Sequence, residues 1–231
     1  MKWFRRIGKF ILKLTLWFFV VSIGLVLIYR FVPVPITPLM VIRLAEQSFD
    51  QEKEIKLQKD WVSLDNISKN APQAVYAAED QKFLEHHGFD LEAMKKAWEG
   101  NKQGKNIKGA STITQQTVKN VFLWPNRSYI RKGLEAYFTV LVELIWSKER
   151  IMEVYLNVIE MGEGIYGIEA AAQHYYQKPA SKLNRHESAM ISAVLPNPRR
   201  WNPNRPTPYI IGRQAWILRQ MNNLHPLGFG T

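Results

Sequence analysis

Gly109-Ala110-Ser111-Thr112-Ile113-Thr114-Gln115-Gln116-Thr117-Val118-Lys119-Asn120 is dense in hydroxyls and side-chain amides, with one lysine and no carboxylate. A helix that only fills a core would carry more Leu and Ile at its inward positions. Ser111 reads as the cap of a helix running to about Phe122, where Trp124-Pro125-Asn126 breaks it. On that helix Ser111, Gln115 and Lys119 recur every four residues, and Thr112, Gln116 and Asn120 form the neighbouring stripe. Hydroxyl, amide and ammonium groups on one side suit a sugar's hydroxyls and a diphosphate's oxygens. Backbone amides at the Gly-Ala-Ser turn can bind an anion at the positive end of the helix dipole. On the residues alone, a solvated polar face explains the same array equally well.

Upstream lies Glu79-Asp80, followed by Phe83, His86 and Gly88. A helix starting at an Asn70 cap, with Pro72 in its first turn, is expected to run through about His86 and end at Gly88. Glu79, Phe83 and His86 then share a face, and desolvation beside an aromatic raises a carboxyl group toward a general base's range. The plainer reading is a Glu79 ion pair with Lys82 or Lys119 and a His86 packed on the helix end. Downstream come Arg127, Arg131, Lys132 and Glu135. Arg131 and Glu135 are spaced i, i+4, and an exposed pair of that kind contributes only about 0.3–0.5 kcal/mol. Beside a phosphate-bearing cleft, Arg131 can neutralise oxygens, and Glu135 can orient basic groups or bind a divalent cation. Two later segments read as mainly structural: Lys148-x-x-Ile151-x-Glu153-x-Tyr155-Leu156-Asn157, which ends in a possible Asn cap, and the small-residue run Gly164 to Tyr176.

The 231 residues carry a net charge of +11, from 31 basic and 20 acidic side chains, and no cysteine. Disulfides, Cys-based metal sites and Cys nucleophiles are thereby excluded. Residues 1–9 are a basic flank, and residues 10–31 an apolar segment whose Phe10–Tyr29 stretch is interrupted only by Lys13. As a helix that stretch is about 30 Å long, enough to cross a bilayer. It is long for the h-region of a cleavable signal peptide, and no small-x-small site follows it. Six basic residues and no acid lie in Met1–Phe31, mostly before the apolar run. A cytoplasmic N-terminus and an exported remainder are therefore expected. That remainder keeps only +5 of the charge, so no nucleic-acid partner is expected.

Past a membrane-proximal linker (32–59, with a helix over Ile36–Gln51), the pattern is helical almost throughout. Helices are predicted over Leu91–Glu99, Ser111–Phe122, Tyr129–Trp146 (capped by Ser128), Lys148–Ile159 (capped by Ser147), Gly167–Tyr176, Arg185–Leu195 and Tyr209–Asn222. Glycines 162, 164 and 167 mark a turn, with room for one short strand or hairpin. The result is one mainly α domain over residues 60–225 with an N-terminal transmembrane helix.

In order, Glu79-Asp80-x-x-Phe83-x-x-His86-x-Gly88, then Gly109 to Asn120, then Arg131-Lys132-x-x-Glu135, then Lys148 to Asn157 resemble the motifs of the peptidoglycan glycosyltransferases. This family is shared by class A penicillin-binding proteins and monofunctional transglycosylases. The likeness runs from about Asp60 to Met221. With no residues after Thr231 for a penicillin-binding domain, it points to the monofunctional, Gram-negative type. Trp146-Ser147-Lys148-x-Arg150-Ile151 and Val194-Leu195-Pro196-Asn197-Pro198 are similar to that subgroup. Ala110 stands where many members have a second glycine.

The resemblance implies a lysozyme-like, two-lobed helical domain whose cleft polymerises lipid II onto a growing chain linked to undecaprenyl diphosphate. Glu79 would deprotonate the acceptor's sugar 4-hydroxyl, and inversion at the donor gives a β-1,4 bond. Lys119, Arg127 and Arg131 would hold the departing diphosphate, and Glu135 would be a second catalytic carboxylate near it. Ser111, Thr112, Gln115, Gln116 and Asn120 would line the donor site, with Asp80, Phe83 and His86 of the first motif also beside the substrate. No dedicated metal site and no tightly bound cofactor are expected, at most a labile Mg2+ or Mn2+. The implied setting is the inner membrane, with the catalytic domain periplasmic and penicillin-binding or division proteins as candidate partners. A glycan-cleaving lysozyme or lytic transglycosylase is the nearest rival, though it has no use for a cationic subsite. A non-catalytic anchored scaffold is the second.

Overall fold

The structure, a computed structural model, describes residues 2–49, 55–102, 110–126 and 128–229. Among these residues the chain forms ten α-helices: α1 (Lys2–Phe31), α2 (Pro38–Phe49), α3 (Asn70–Glu79), α4 (Leu91–Lys102), α5 (Ile113–Phe122), α6 (Tyr129–Ile145), α7 (Lys148–Val158), α8 (Ile168–Tyr176), α9 (Arg185–Val194) and α10 (Pro208–Asn223). The expectation of a mainly α protein holds. The hairpin at the glycine turn is β2 (Glu160–Gly162) with β3 (Ile165–Tyr166). β1 (Gln58–Lys59) joins β3 in parallel, giving the order β1-β3-β2. Gly167 takes φ 83°, and a Cβ there would meet the Asn157 carbonyl oxygen at 2.8 Å.

Ser128 and Ser147 cap α6 and α7 as predicted, each hydroxyl accepting a backbone N–H at 3.1 Å. Four local readings are corrected. Asn70 does not cap α3; its amide donates to Ser68 Oγ and the Leu183 carbonyl. Thr112, not Ser111, caps α5, in a reciprocal box with Gln115. Asn157 lies inside α7 and bonds both the N–H and the carbonyl of Val62 at 2.9 Å, tying the segment before α3 to α7. The fourth correction bears on the site. α3 stops at Glu79, and Asp80 turns out of the helix with φ −160° and ψ 82°. The Asp80 carboxylate takes partners outside the helix, an alternative to helical pairing that short acidic side chains favour. Glu79, Phe83 and His86 therefore do not share a helical face.

Two hydrophobic clusters meet at α3. Ala71, Val75 and Tyr76 face the larger one, built with α5, α6, α7 and α8. Ala74 and Ala77 face the smaller one, with Ala189, Ala193 and Val194 of α9 and Ile210, Ile217 and Met221 of α10. Small side chains let these three helices approach closely. The last residue of α3, Glu79, thus emerges at the seam between the clusters.

α1 is long and apolar enough to cross a membrane: the most apolar 18 residues of its Trp3–Phe31 stretch have a mean hydropathy of 2.4. Its C-terminal part is docked on the domain. Tyr137 of α6 bonds Ser22 at 2.7 Å and packs its ring on Phe18 and Phe19. Trp146 donates from Nε1 to the Val26 carbonyl at 2.7 Å. Arg150 of α7 donates to the carbonyls of Tyr29 and Val32, closing the end of α1.

Candidate active site

At the end of α3 the Glu79 carboxylate lies between α5 and α10. Gln116 Nε2 donates to its Oε2 at 3.0 Å, and the Arg213 guanidinium pairs with its Oε1 at 3.2 Å. Tyr155 of α7, wholly buried, donates its hydroxyl to Gln116 Oε1 at 3.2 Å. That bond fixes the Gln116 amide, because the flipped amide would turn its oxygen toward a carboxylate. Burial pushes the Glu79 carboxyl group above the ordinary carboxylate range, and Asp80 acts in the same sense. Gln116, Arg213 and Lys119 oppose the rise. The result is a carboxylate that can ionise yet holds a proton more readily than a surface glutamate.

One turn along α5, Lys119 lies near enough to feel both Glu79 and Glu135. Burial lowers its pKa first of all, and Arg131 lowers it further, while the two glutamates oppose the fall. With Gln116 and Asn120, Lys119 lines a cavity of about 220 Å³. Arg43 and Glu160 line it too, with apolar walls that include Leu39, Leu123, Ile159 and Leu195. Glu135, buried on α6, is bonded by Arg131 at 2.5 Å and by Lys132. Both Glu135 oxygens are therefore occupied by cations, which does not suit a divalent metal ligand. Arg131 keeps its buried Nε–H without a partner among the described residues.

The remaining predicted residues build the wall. Asp80 accepts the Ile113 N–H at 3.0 Å, in the first turn of α5. His86 Nε2 lies 3.0 Å from both Asp80 oxygens, and Gly88 donates its N–H to His86 Nδ1 at 3.1 Å. With Nδ1 accepting, the proton sits on Nε2 and points at Asp80. Thr112 donates its hydroxyl to the Gly88 carbonyl at 2.7 Å. Phe83 is fully buried beneath the Lys148 ammonium, which lies 4.6 Å from the ring centre. Asp80, Ser111 and Thr112 line a second cavity of about 340 Å³ with Glu79, Lys82 and Trp216. Phe83, His86 and Gln115 line neither cavity.

Of the predicted set, the structure brings together Glu79, Gln116, Lys119 and Asn120, with Arg131 and Glu135 behind Lys119. Arg127 lies outside the described residues. Sequence reading missed Arg213, which is 134 positions from Glu79 and lies in no motif quoted above. It also missed Arg43 and Glu160, and it read Tyr155 as structural only.

Residues 46–222 match the family described as Transglycosylase, and the chain belongs to that family. It is similar to proteins named biosynthetic peptidoglycan transglycosylase in three bacteria. That of Bdellovibrio bacteriovorus is 56% identical over 217 residues, covering 94% of this chain and 86% of that one. That of Pseudomonas syringae pv. syringae is 53% identical over 214 residues, 93% and 90% of the two chains. That of Bacteroides thetaiotaomicron is 51% identical over 218 residues, 94% and 88%.

Proposed function

We propose that this protein is a peptidoglycan glycosyltransferase that polymerises lipid II, with Glu79 as general base and undecaprenyl diphosphate as leaving group. Glu79 takes the proton of the acceptor's 4-hydroxyl as that oxygen attacks the donor's anomeric carbon. The bond from that carbon to the diphosphate breaks on the opposite face, so the configuration inverts and a β-1,4 link forms. The leaving diphosphate needs its charge neutralised rather than a proton, and Lys119 and Arg131 supply cations for it. Gln116 bridges the two ends, touching the base while lining the Lys119 cavity. α1 anchors the enzyme in the inner membrane with its N-terminus cytoplasmic. Confinement to the surface that holds both lipid-linked substrates raises their effective concentration.

The observation that carries this reading is the pairing of a largely buried Glu79, whose pKa burial raises, with a cation-lined cavity one helical turn away. Cleaving an uncharged glycosidic bond does not call for that cavity. The test is polymerisation of purified lipid II by wild type and Glu79→Gln, resolved by gel. Wild type should give ladders, and the variant should lose at least about 10²–10⁴-fold in rate while still binding lipid II. Release of soluble muropeptides from sacculi without polymer would favour a cleaving enzyme. An unchanged rate in Glu79→Gln would favour a scaffold.

A further inference from the structure

We infer that Arg43, on the membrane-proximal helix α2, binds the diphosphate of a lipid-linked ligand in the Lys119 cavity. The inference rests on the glycosyltransferase reading above and adds a residue from outside the ordered motifs.

α2 is a fixed element. Thr37 Oγ1 accepts the Met40 N–H at its start, Met40 is fully buried, and near its end Gln47 Oε1 accepts the Lys56 N–H at 2.7 Å. Met40, Arg43 and Gln47 are spaced i, i+3, i+7, so they share the inward face. Arg43 is thereby held at the cavity lined by Gln116, Lys119 and Asn120 of α5. Its Nη1 is engaged by Glu46 at 2.5 Å, but its buried Nε–H has no hydrogen-bond partner among the described residues. On the Nε side the Glu160 Oε2 is 3.8 Å away, beyond hydrogen-bond reach. An unmet guanidinium N–H in an apolar-walled cavity costs desolvation unless a ligand oxygen meets it. A second cation, Lys119, lines the same space and makes no ion pair among the described residues. The lining itself holds two cations and one carboxylate, Glu160, while Glu46 outside it engages the far side of Arg43. Phosphate oxygens suit those donors, and Leu39, Leu123, Ile159 and Leu195 suit the first carbons of a prenyl tail.

The bland alternative is that Arg43 and Glu160 form an ion pair that only pins α2. The two readings predict opposite signs. Farnesyl diphosphate binding to the full chain in detergent should weaken about tenfold or more in Arg43→Ala and recover much of this in Arg43→Lys. Glu160→Gln should tighten binding, because it removes the one anion of the lining. With lipid II, Arg43→Ala should raise KM more than it lowers kcat. Unchanged affinity in Arg43→Ala, or weakening in both Arg43→Ala and Glu160→Gln, overturns the inference. Should Arg43→Ala misfold, Arg43→Gln against Arg43→Lys decides: equal affinities exclude a role for the charge. A wild type that polymerises lipid II while Arg43→Ala keeps its KM sinks this inference alone. A wild type that binds farnesyl diphosphate through Arg43 but makes no polymer sinks the polymerase reading instead.

Discussion

The Glu79 carboxylate meets two donors of different kinds, a neutral amide from Gln116 and a cation from Arg213. Burial raises its pKa, and both donors restrain the rise. The acid limb of kcat/KM should therefore lie above the ordinary carboxylate range, with activity lost as pH falls through it. Arg213→Gln removes a restraint and should move that limb to higher pH, which a pH–rate profile on lipid II would read. A limb that stays put would remove Arg213 from the base's environment. The same shift has a stability consequence. A carboxyl group whose pKa is raised by folding favours the fold below its unfolded pKa and loses that contribution as pH rises through the folded value. Glu79→Gln should thus be more stable than wild type at pH 8, and the difference should fade on acidification, as followed by urea unfolding. At this scale the sequence was informative where chemistry is local: Glu79, Gln116 and Lys119 could be named from residue type and spacing. Arg213 could not, because only the packing of α10 on α3 brings it to Glu79.

At the scale of elements, the end of α3 and the start of α5 are one joint. Asp80 holds the Ile113 amide, His86 holds Asp80, Gly88 holds His86, and Thr112 holds Gly88. Any loosening of this chain displaces Gln116 relative to Glu79. Thr112→Val removes the cap and should cost about 0.5–2 kcal/mol. Gly88→Ala should cost more. Its φ is 85°, a strain of about 1–3 kcal/mol for a residue with a Cβ. That Cβ would also lie 2.5 Å from the Thr139 methyl. Thermal unfolding of both variants checks the order. The Thr112 cap was present in the sequence, since Thr112-x-x-Gln115 fits a capping box and Ser111-x-x-Thr114 does not. The early stop of α3 was not. Periodicity continued to His86, and the partners that draw Asp80 out of the helix come partly from 33 residues away.

For the whole molecule, the docking of α1 sets where the domain lies. Phe18 and Ser22 touch Tyr137 of α6, Val26 is bonded by Trp146 between α6 and α7, and Tyr29 by Arg150 of α7. Ser22 is nine residues before Phe31, about 14 Å along the helix. With α1 in a bilayer, α6 therefore reaches about halfway into the hydrocarbon layer. Two of its exposed apolar side chains, Val140 and Leu144, lie between Tyr137 and Trp146, which grip Ser22 and Val26, and so fall in the outer half of that layer, Leu144 being 77% exposed. Leu144→Asp should slow polymerisation on lipid II vesicles several-fold more than in detergent, because a charge in the hydrocarbon layer is costly, up to about 2.5–3.5 kcal/mol at its centre. Equal slowing in both would place Leu144 outside the lipid. The sequence predicted the span from length and charge alone. It did not reveal that about the second half of the span, from Phe18 on, is part of the folded domain, since Tyr137, Trp146 and Arg150 look like ordinary helix residues.

That division makes the anchor unequal along its length. Residues ahead of Phe18 only have to be greasy and helical, so a foreign hydrophobic segment could be grafted there without disturbing catalysis. From Phe18 onward the anchor is registered to the enzyme residue by residue. A single insertion between Ser22 and Tyr29 would rotate one grip about 100° away from the other. Interchangeability with other membrane anchors ends there.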